Sequence, residues 1–425
     1  MKQKIPVKYR LSVGFTIFAS FFGAGNLIFP PHLGLVSGPA WVWAFLSYIL
    51  MDAGLGILTI LAVSRCEDGF EGLMRKLGVL GSVLILLDAM CLGPVACVPR
   101  TAAVTFELAI HPVAPGVSSW VVSLVYFVMT ALLCIRPSKI VDIVGSFMTP
   151  VLLAGLLFLI GKGIITAPAP YSAGMGAAEA FREGLLAGYQ TMDMLVASLL
   201  SAVLIVSVAE HRIERPDSTR LFASASVVAA VGLFVVYGGL TYLGAVSGLD
   251  VSLSNADVLL GVVKEVLGSG GLYLLLVIVT LACLTTAIGL VSACAQAVCT
   301  LLKERVPYPV MVVIMCVVSF VISNLGIDSI LAIASPVLAL IYPAVISVVV
   351  LSFLPEKVFN PTVCRWAVCC SLVFAVWSLA DGLMAADLGA SRLPLASVDL
   401  AWLLPTAVCA VIGYFLSRRR SAVSA

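Results

Sequence analysis

Apolar runs of about 18 to 25 residues recur along the whole chain, separated by short segments rich in Pro, Gly and charge. Wound as helix at ~1.5 Å per residue, such runs match a hydrocarbon core of ~30 Å. The ten-residue alternation of apolar and polar positions that marks an outer-membrane barrel is missing. The pattern therefore predicts an all-α integral membrane protein of about twelve spans, at 11–36, 40–63, 79–105, 118–136, 140–162, 180–209, 221–247, 270–301, 307–324, 329–353, 364–383 and 400–417. The basic start, Lys2, Lys4, Lys8 and Arg10, leads into a run too long for a leader, so it reads as the first span.

Two spans are interrupted. In span 1, Phe15 to Pro31, helix formers flank Gly23-Ala24-Gly25-Asn26 near the bilayer midplane. Asn26 there is read as a cap for a second half-helix, and Pro30 and Pro31 follow. In span 6, Tyr189-Gln190-Thr191-Met192-Asp193 separates Gly184 to Gly188 from the apolar stretch Met194 to Val208. Bare backbone at that depth is tolerated only where protein or a polar cavity satisfies it. The bland reading of the glycines is close helix packing. Five spans lie from one interruption to the next, so a five-helix repeat re-enters the membrane inverted. The expected organisation is a first repeat over 1–162, a second over 163–353, and spans 11 and 12 with the tail over 354–425.

Composition agrees: 61% hydrophobic residues, 11% charged and a mean hydropathy of +1.15 exclude a soluble globule. The net charge of +2 favours no nucleic-acid partner, but its distribution sets topology. With the N-terminus inside, the inner segments collect Arg65, Arg75, Lys76, Arg136, Lys139, Arg212, Arg215, Arg220, Lys303, Arg305, Lys357, Arg365 and Arg418 to Arg420. The outer loops hold Lys162, Lys264 and Arg392. Both termini are therefore expected in the cytoplasm of a multi-pass inner-membrane protein. The twelve cysteines form no C-x-x-C pair and read as small buried fillers.

A broken helix offers unpaired N–H groups on one side and unpaired carbonyls on the other. A free amino acid is a zwitterion: its carboxylate suits the amides of Ala24 and Gly25, and its ammonium suits carbonyls of both breaks. Thr285 and Thr286 place two hydroxyls inside span 8, either back-bonded to their own helix or turned toward a cation. Asp193 is either a coupling carboxylate or the cap of the inner half of span 6. Asp52, Asp88, Asp381 and Arg100 are read as structural, Arg100 as snorkelling near the outer interface. His32, His111 and His211 are scattered and no metal-ligand or P-loop motif occurs, so an enzyme is disfavoured and no cofactor is expected. A channel is opposed by the two breaks. No obligate protein partner is evident; the partners expected are a small amino acid and the lipid bilayer.

The segments GFTIFASFFGAGNLIFPPHLGLVSGPAW, LGPVACVPRTA, GYQTMD and ACLTTAIGL, in that order, resemble the bacterial branched-chain amino acid:cation symporters of the amino acid–polyamine–organocation superfamily. The resemblance implies a leucine-transporter-like fold, a five-plus-five inverted repeat with discontinuous helices 1 and 6, and import of leucine, isoleucine and valine. It also implies a sodium site from the carbonyls of Ala19, Phe22 and Ala282 with the hydroxyls of Thr285 and Thr286. Substrate would meet Phe21, Gly23, Ala24, Gly25 and Asn26 in span 1 and Tyr189, Gln190 and Thr191 in span 6. A branched-chain side chain would need an apolar pocket, expected from spans 3, 8 and 10. Some proton-coupled relatives carry a lysine within span 5, which this chain lacks; sodium is thus the expected coupling ion and a proton the alternative.

Overall fold

The computed structural model describes residues 6–66, 68–135, 144–166, 171, 174–191, 193–210, 215–383, 389 and 392–423. Lys2, Lys4, Arg136, Lys139, Met192, His211 and Arg212, and the start of span 5, lie outside the described residues. Among the described residues every regular element is a helix. Seven helical runs are long and apolar enough to cross a membrane, and the 16-residue apolar helices Ser119–Cys134 and Tyr308–Ser323 accompany them. Span 1 is broken after Phe21, and span 6 is described on either side of Met192. Span 1 consists of Val7–Phe21 and Ala24–Ser37, and span 6 of Ala177–Thr191 and Asp193–Glu210.

Span 8, Gly271–Leu301, is the axis of the packing: 72% of its most apolar stretch is buried. It touches spans 1, 3, 4, 5, 6 and 9. Spans 11 and 12, Pro361–Leu383 and Leu403–Val423, pack on each other, and span 11 packs on span 10 at the edge. On span 4 the exposed Val121, Leu124, Val125, Val128 and Leu132 form one apolar stripe, and Val310, Val313, Ile314, Val317 and Val321 form another on span 9. Stripes of this kind face hydrocarbon in a membrane and would be a liability in water.

Two further helices were not expected. Asn255–Leu267, between spans 7 and 8, buries Val258, Leu259, Val262 and Val263 on one face, and the Ser254 hydroxyl caps it by accepting from the Asp257 N–H at 3.2 Å. The short Gly69–Met74 lies between spans 2 and 3. Both are too short or too amphipathic to read as spans, so a search for span-length apolar runs passes over them.

Small residues let helices meet backbone to backbone. A Cβ on Gly34 of span 1 would lie 1.8 Å from the Thr241 carbonyl oxygen, and one on Gly244 of span 7 would lie 1.8 Å from the Pro31 carbonyl oxygen. Neither overlap can be relieved by moving a side chain. Gly244→Ala is therefore expected to destabilise the protein by more than about 3 kcal/mol, read as a fall in melting temperature in detergent and loss of the monodisperse chromatographic peak.

Candidate substrate and ion site

The span-1 break is narrower than the four residues expected. The Phe22 N–H still donates to the Phe18 carbonyl at 2.8 Å, but a ψ of 73° turns the Phe22 carbonyl off the helical direction. Gly23 is extended, with φ −98° and ψ −170°, and helix resumes at Ala24. The first resumed bond is from the Leu27 N–H to the Gly23 carbonyl at 3.1 Å, so the amides of Ala24, Gly25 and Asn26 form the opening turn. Gly23, not Asn26, occupies the cap position. Asn26 is committed elsewhere, as described below.

In span 6 helix persists through Tyr189, Gln190 and Thr191 and is present again from Asp193; Met192 between them lies outside the described residues. The Thr191 hydroxyl donates to the Gly188 carbonyl at 2.7 Å, a back-bond at the end of the half-helix. The approach of this half-helix to span 2 depends on glycine. A Cβ on Gly184 would lie 2.1 Å from the Ala44 carbonyl oxygen, and one on Gly188 would lie 2.5 Å from that of Tyr48.

Both breaks reach one cavity of about 1280 Å³. Gly25 and Phe29 line it from span 1, Tyr189, Gln190 and Thr191 from span 6, and Arg100 and Glu107 from span 3. Span 10 adds an apolar wall that includes Ile330, Ala334 and Leu338. Span 8 supplies none of the lining; it stands behind the inner half of span 1 instead. Phe21, Gly23 and Asn26 are also outside the lining: Phe21 is fully buried against Gly56, and a Cβ on Gly23 would lie 3.2 Å from Thr286 Oγ1.

The five residues named for a cation gather where spans 1 and 8 cross, and all are buried. The Thr286 hydroxyl donates across the interface to the Ala19 carbonyl at 3.2 Å. The Thr285 hydroxyl donates to the Ala282 carbonyl, one turn back in its own helix, at 3.0 Å. Thr285 is thus back-bonded to its own helix, whereas Thr286 bonds across to span 1.

Behind the breaks lies a constellation the sequence did not reveal. The Asn26 side-chain amide donates to Asp52 Oδ1 at 3.0 Å, Asp193 Oδ2 at 2.6 Å and Tyr237 Oη at 2.8 Å. Spans 1, 2, 6 and 7 therefore meet at one nitrogen. Asp52 sits in a π turn, Leu50–Gly54, which swings it out of the register of span 2 toward Asn26. Asp52 Oδ2 and the Tyr48 hydroxyl beside it are buried without a hydrogen-bond partner. The two N–H bonds of Asn26 cannot point at all three oxygens at once, and Tyr237 brings an O–H of its own to the cluster. Asp88, also buried, accepts from the Ser198 hydroxyl at 3.0 Å in the inner part of spans 3 and 6.

Residues 6–420 match the protein family described as branched-chain amino acid transport protein. The chain belongs to that family. It is 35% identical to the branched-chain amino acid permease BraB of Bacillus subtilis (strain 168), over 98% of this chain and 97% of that one. It is 36% identical to the branched-chain amino acid permease BrnQ of Escherichia coli (strain K12), over 98% of each. Among solved structures it superposes on a substrate-bound, outward-open Na+-coupled sialic acid symporter with a TM-score of 0.67 at 12% identity, covering 97% of this chain and 90% of that one. Mhp1, a nucleobase-cation-symport-1 family transporter in a closed conformation, gives 0.63 at 13% identity, covering 98% and 93%. The fold is therefore that of leucine-transporter-like carriers, and the protein is a multi-pass membrane transporter and not an enzyme.

Proposed function

We propose that this member of the family imports leucine, isoleucine and valine together with sodium, by alternating access around the two helix breaks. The observation that carries this reading is that Gly25 of one break and Tyr189, Gln190 and Thr191 of the other line a single cavity. A zwitterion at that place meets amide N–H groups from the outer half of span 1, while Ile330, Ala334 and Leu338 offer an apolar wall for a branched side chain. The segments 1–162 and 163–353 serve as the two repeats that rock against each other.

Sodium binding is supported by the crossing of spans 1 and 8. The carbonyl of Phe22 is turned off its helix, and Thr286 already reaches the Ala19 carbonyl, so hard oxygen donors from two helices stand together. A proton is the second reading, favoured by two buried carboxyl groups, Asp52 and Asp193, meeting at one amide. The cytoplasmic end is taken as the one where basic segments meet. There the Arg65 guanidinium lies 4.9 Å from the Phe353 ring centroid and the Lys76 ammonium 4.3 Å from that of Phe359. The cavity is lined from the opposite ends of spans 3, 10 and 11.

Radiolabelled leucine uptake into proteoliposomes tests this. An inward sodium gradient is expected to drive concentrative uptake, competed by isoleucine and valine, and a proton gradient alone is not. Proton-driven uptake without sodium would overturn the sodium reading and move coupling to Asp52 and Asp193. The absence of leucine uptake under either gradient would overturn the substrate.

A further inference from the structure

Span 3 carries one cation deep in an apolar run, Arg100, and the helix is bent to aim it. Regular helix ends at Met90, a π turn at Cys91–Val95 contains Pro94, and Gly93 and Ala96 leave helical geometry with ψ of −106° and −73°. Helix resumes at Cys97–Val104. The redirected turn lays the Arg100 guanidinium over the opening turn of the outer half of span 1. A Cβ on Gly25 would lie 2.9 Å from Arg100 Nη2 and 3.6 Å from Cζ. Arg100 also lines the cavity that both breaks share, its Nε is buried with no hydrogen-bond partner, and among the described residues it joins no ion pair. The guanidinium is a planar cation facing the cavity and, among the described residues, is left without a matching anion.

We propose that Arg100 is the counter-charge for the substrate carboxylate, held jointly by its guanidinium and the opening amides of the outer half of span 1. The proposal rests on the reading of the cavity as an amino-acid site. Its chemical content is specific: the ligand must present a carboxylate, since the planar fork of Arg100 donates to two oxygens at once. The half-helix dipole adds partial positive charge at the same point. Gly25 leaves room for this approach, because a side chain there would push the guanidinium off the turn it now covers. The zwitterion's apolar end then points to Phe29, Ala334 and Leu338, away from the charge. An amine with the same side chain but no carboxylate leaves Arg100 unpaired, so it binds much more weakly.

The test compares leucine with leucinamide on purified wild-type protein, Arg100→Gln, Arg100→Lys and Gly25→Ala, by displacement of radiolabelled leucine in sodium buffer. Wild type is expected to prefer leucine by about a hundredfold, the range of a charge-assisted pair. Arg100→Gln is expected to lose about thirtyfold or more in leucine affinity with leucinamide unchanged, so the preference collapses. Arg100→Lys keeps the charge and loses only the fork, about tenfold, and Gly25→Ala, which displaces the guanidinium, also loses about tenfold. The proposal is overturned by Arg100→Gln binding leucine within about threefold of wild type, or by equal losses for leucine and leucinamide. If Arg100→Gln fails to run as a monodisperse peak, the wild-type preference and Gly25→Ala decide: no preference for leucine, or no loss in Gly25→Ala, overturns it. Wild-type protein that binds no leucine would instead overturn the substrate reading itself.

Discussion

Thr286→Val is expected to abolish sodium-driven leucine uptake at ordinary sodium concentrations. The exchange keeps the shape of the side chain and replaces a hydroxyl with a methyl, so it deletes an oxygen without opening a cavity. In the free protein the Ala19 carbonyl loses the donor it now has at 3.2 Å and is left buried and unsatisfied, at a cost of about 1–3 kcal/mol. In the sodium-bound protein one of about five oxygens is gone from a site that must replace the ion's whole hydration shell. The concentration of sodium that gives half-maximal uptake is expected to rise about thirtyfold or more. Thr285→Val is expected to do less, about tenfold, because the Ala282 carbonyl that it serves lies within its own helix. Uptake by Thr286→Val with an unaltered sodium dependence would remove the crossing of spans 1 and 8 from the coupling mechanism.

The architecture was readable because its signals are local. A glycine pair in an apolar run and a Tyr-Gln-Thr stretch before an aspartate mark the two breaks wherever the rest of the chain lies. Both polar stretches are more helical than their composition suggests, because polarity alone does not stop a helix. Ala24, Gly25 and Asn26 fit a first turn, and Tyr189, Gln190 and Thr191 remain helical, with the Thr191 hydroxyl bonded to its own backbone. Long-range convergence was not readable. Asp52, Asp193 and Tyr237 lie 26, 167 and 211 residues from Asn26, and no spacing rule connects them. Counting ~1.5 Å per residue along a straight helix puts Arg100 near the outer interface. The π turn at Cys91–Val95 breaks that assumption, and Pro94 is the one residue that hinted at it.

The carboxylate pair is where a single change should reach both stability and transport. Asp193→Ala removes the shortest of the three contacts to Asn26, at 2.6 Å, and leaves the amide facing Asp52 and Tyr237 with a void beside it. Loss of a buried charge-assisted hydrogen bond and of packing is expected to cost about 2–4 kcal/mol, seen as a lower melting temperature in detergent. Leucine uptake is expected to fall about a hundredfold, because Asn26 lies in the opening turn of the half-helix and loses the anchor that fixes the turn to span 6. Asp52→Ala acts on the same nitrogen through span 2. If the three side chains work as a unit, the double variant costs less than the sum of the single ones, with an interaction of about 1–2 kcal/mol. Asp52→Asn and Asp193→Asn separate ionisation from contact: each keeps an oxygen for Asn26 but removes a carboxyl group that can ionise or carry a proton. Sodium-driven uptake that survives both amides but neither alanine would assign the pair to holding the breaks together. Uptake lost with either amide, while the melting temperature holds, would assign its charge to ion coupling. Additive losses in the double alanine variant, within about 0.5 kcal/mol, would show that spans 2 and 6 are not joined through Asn26.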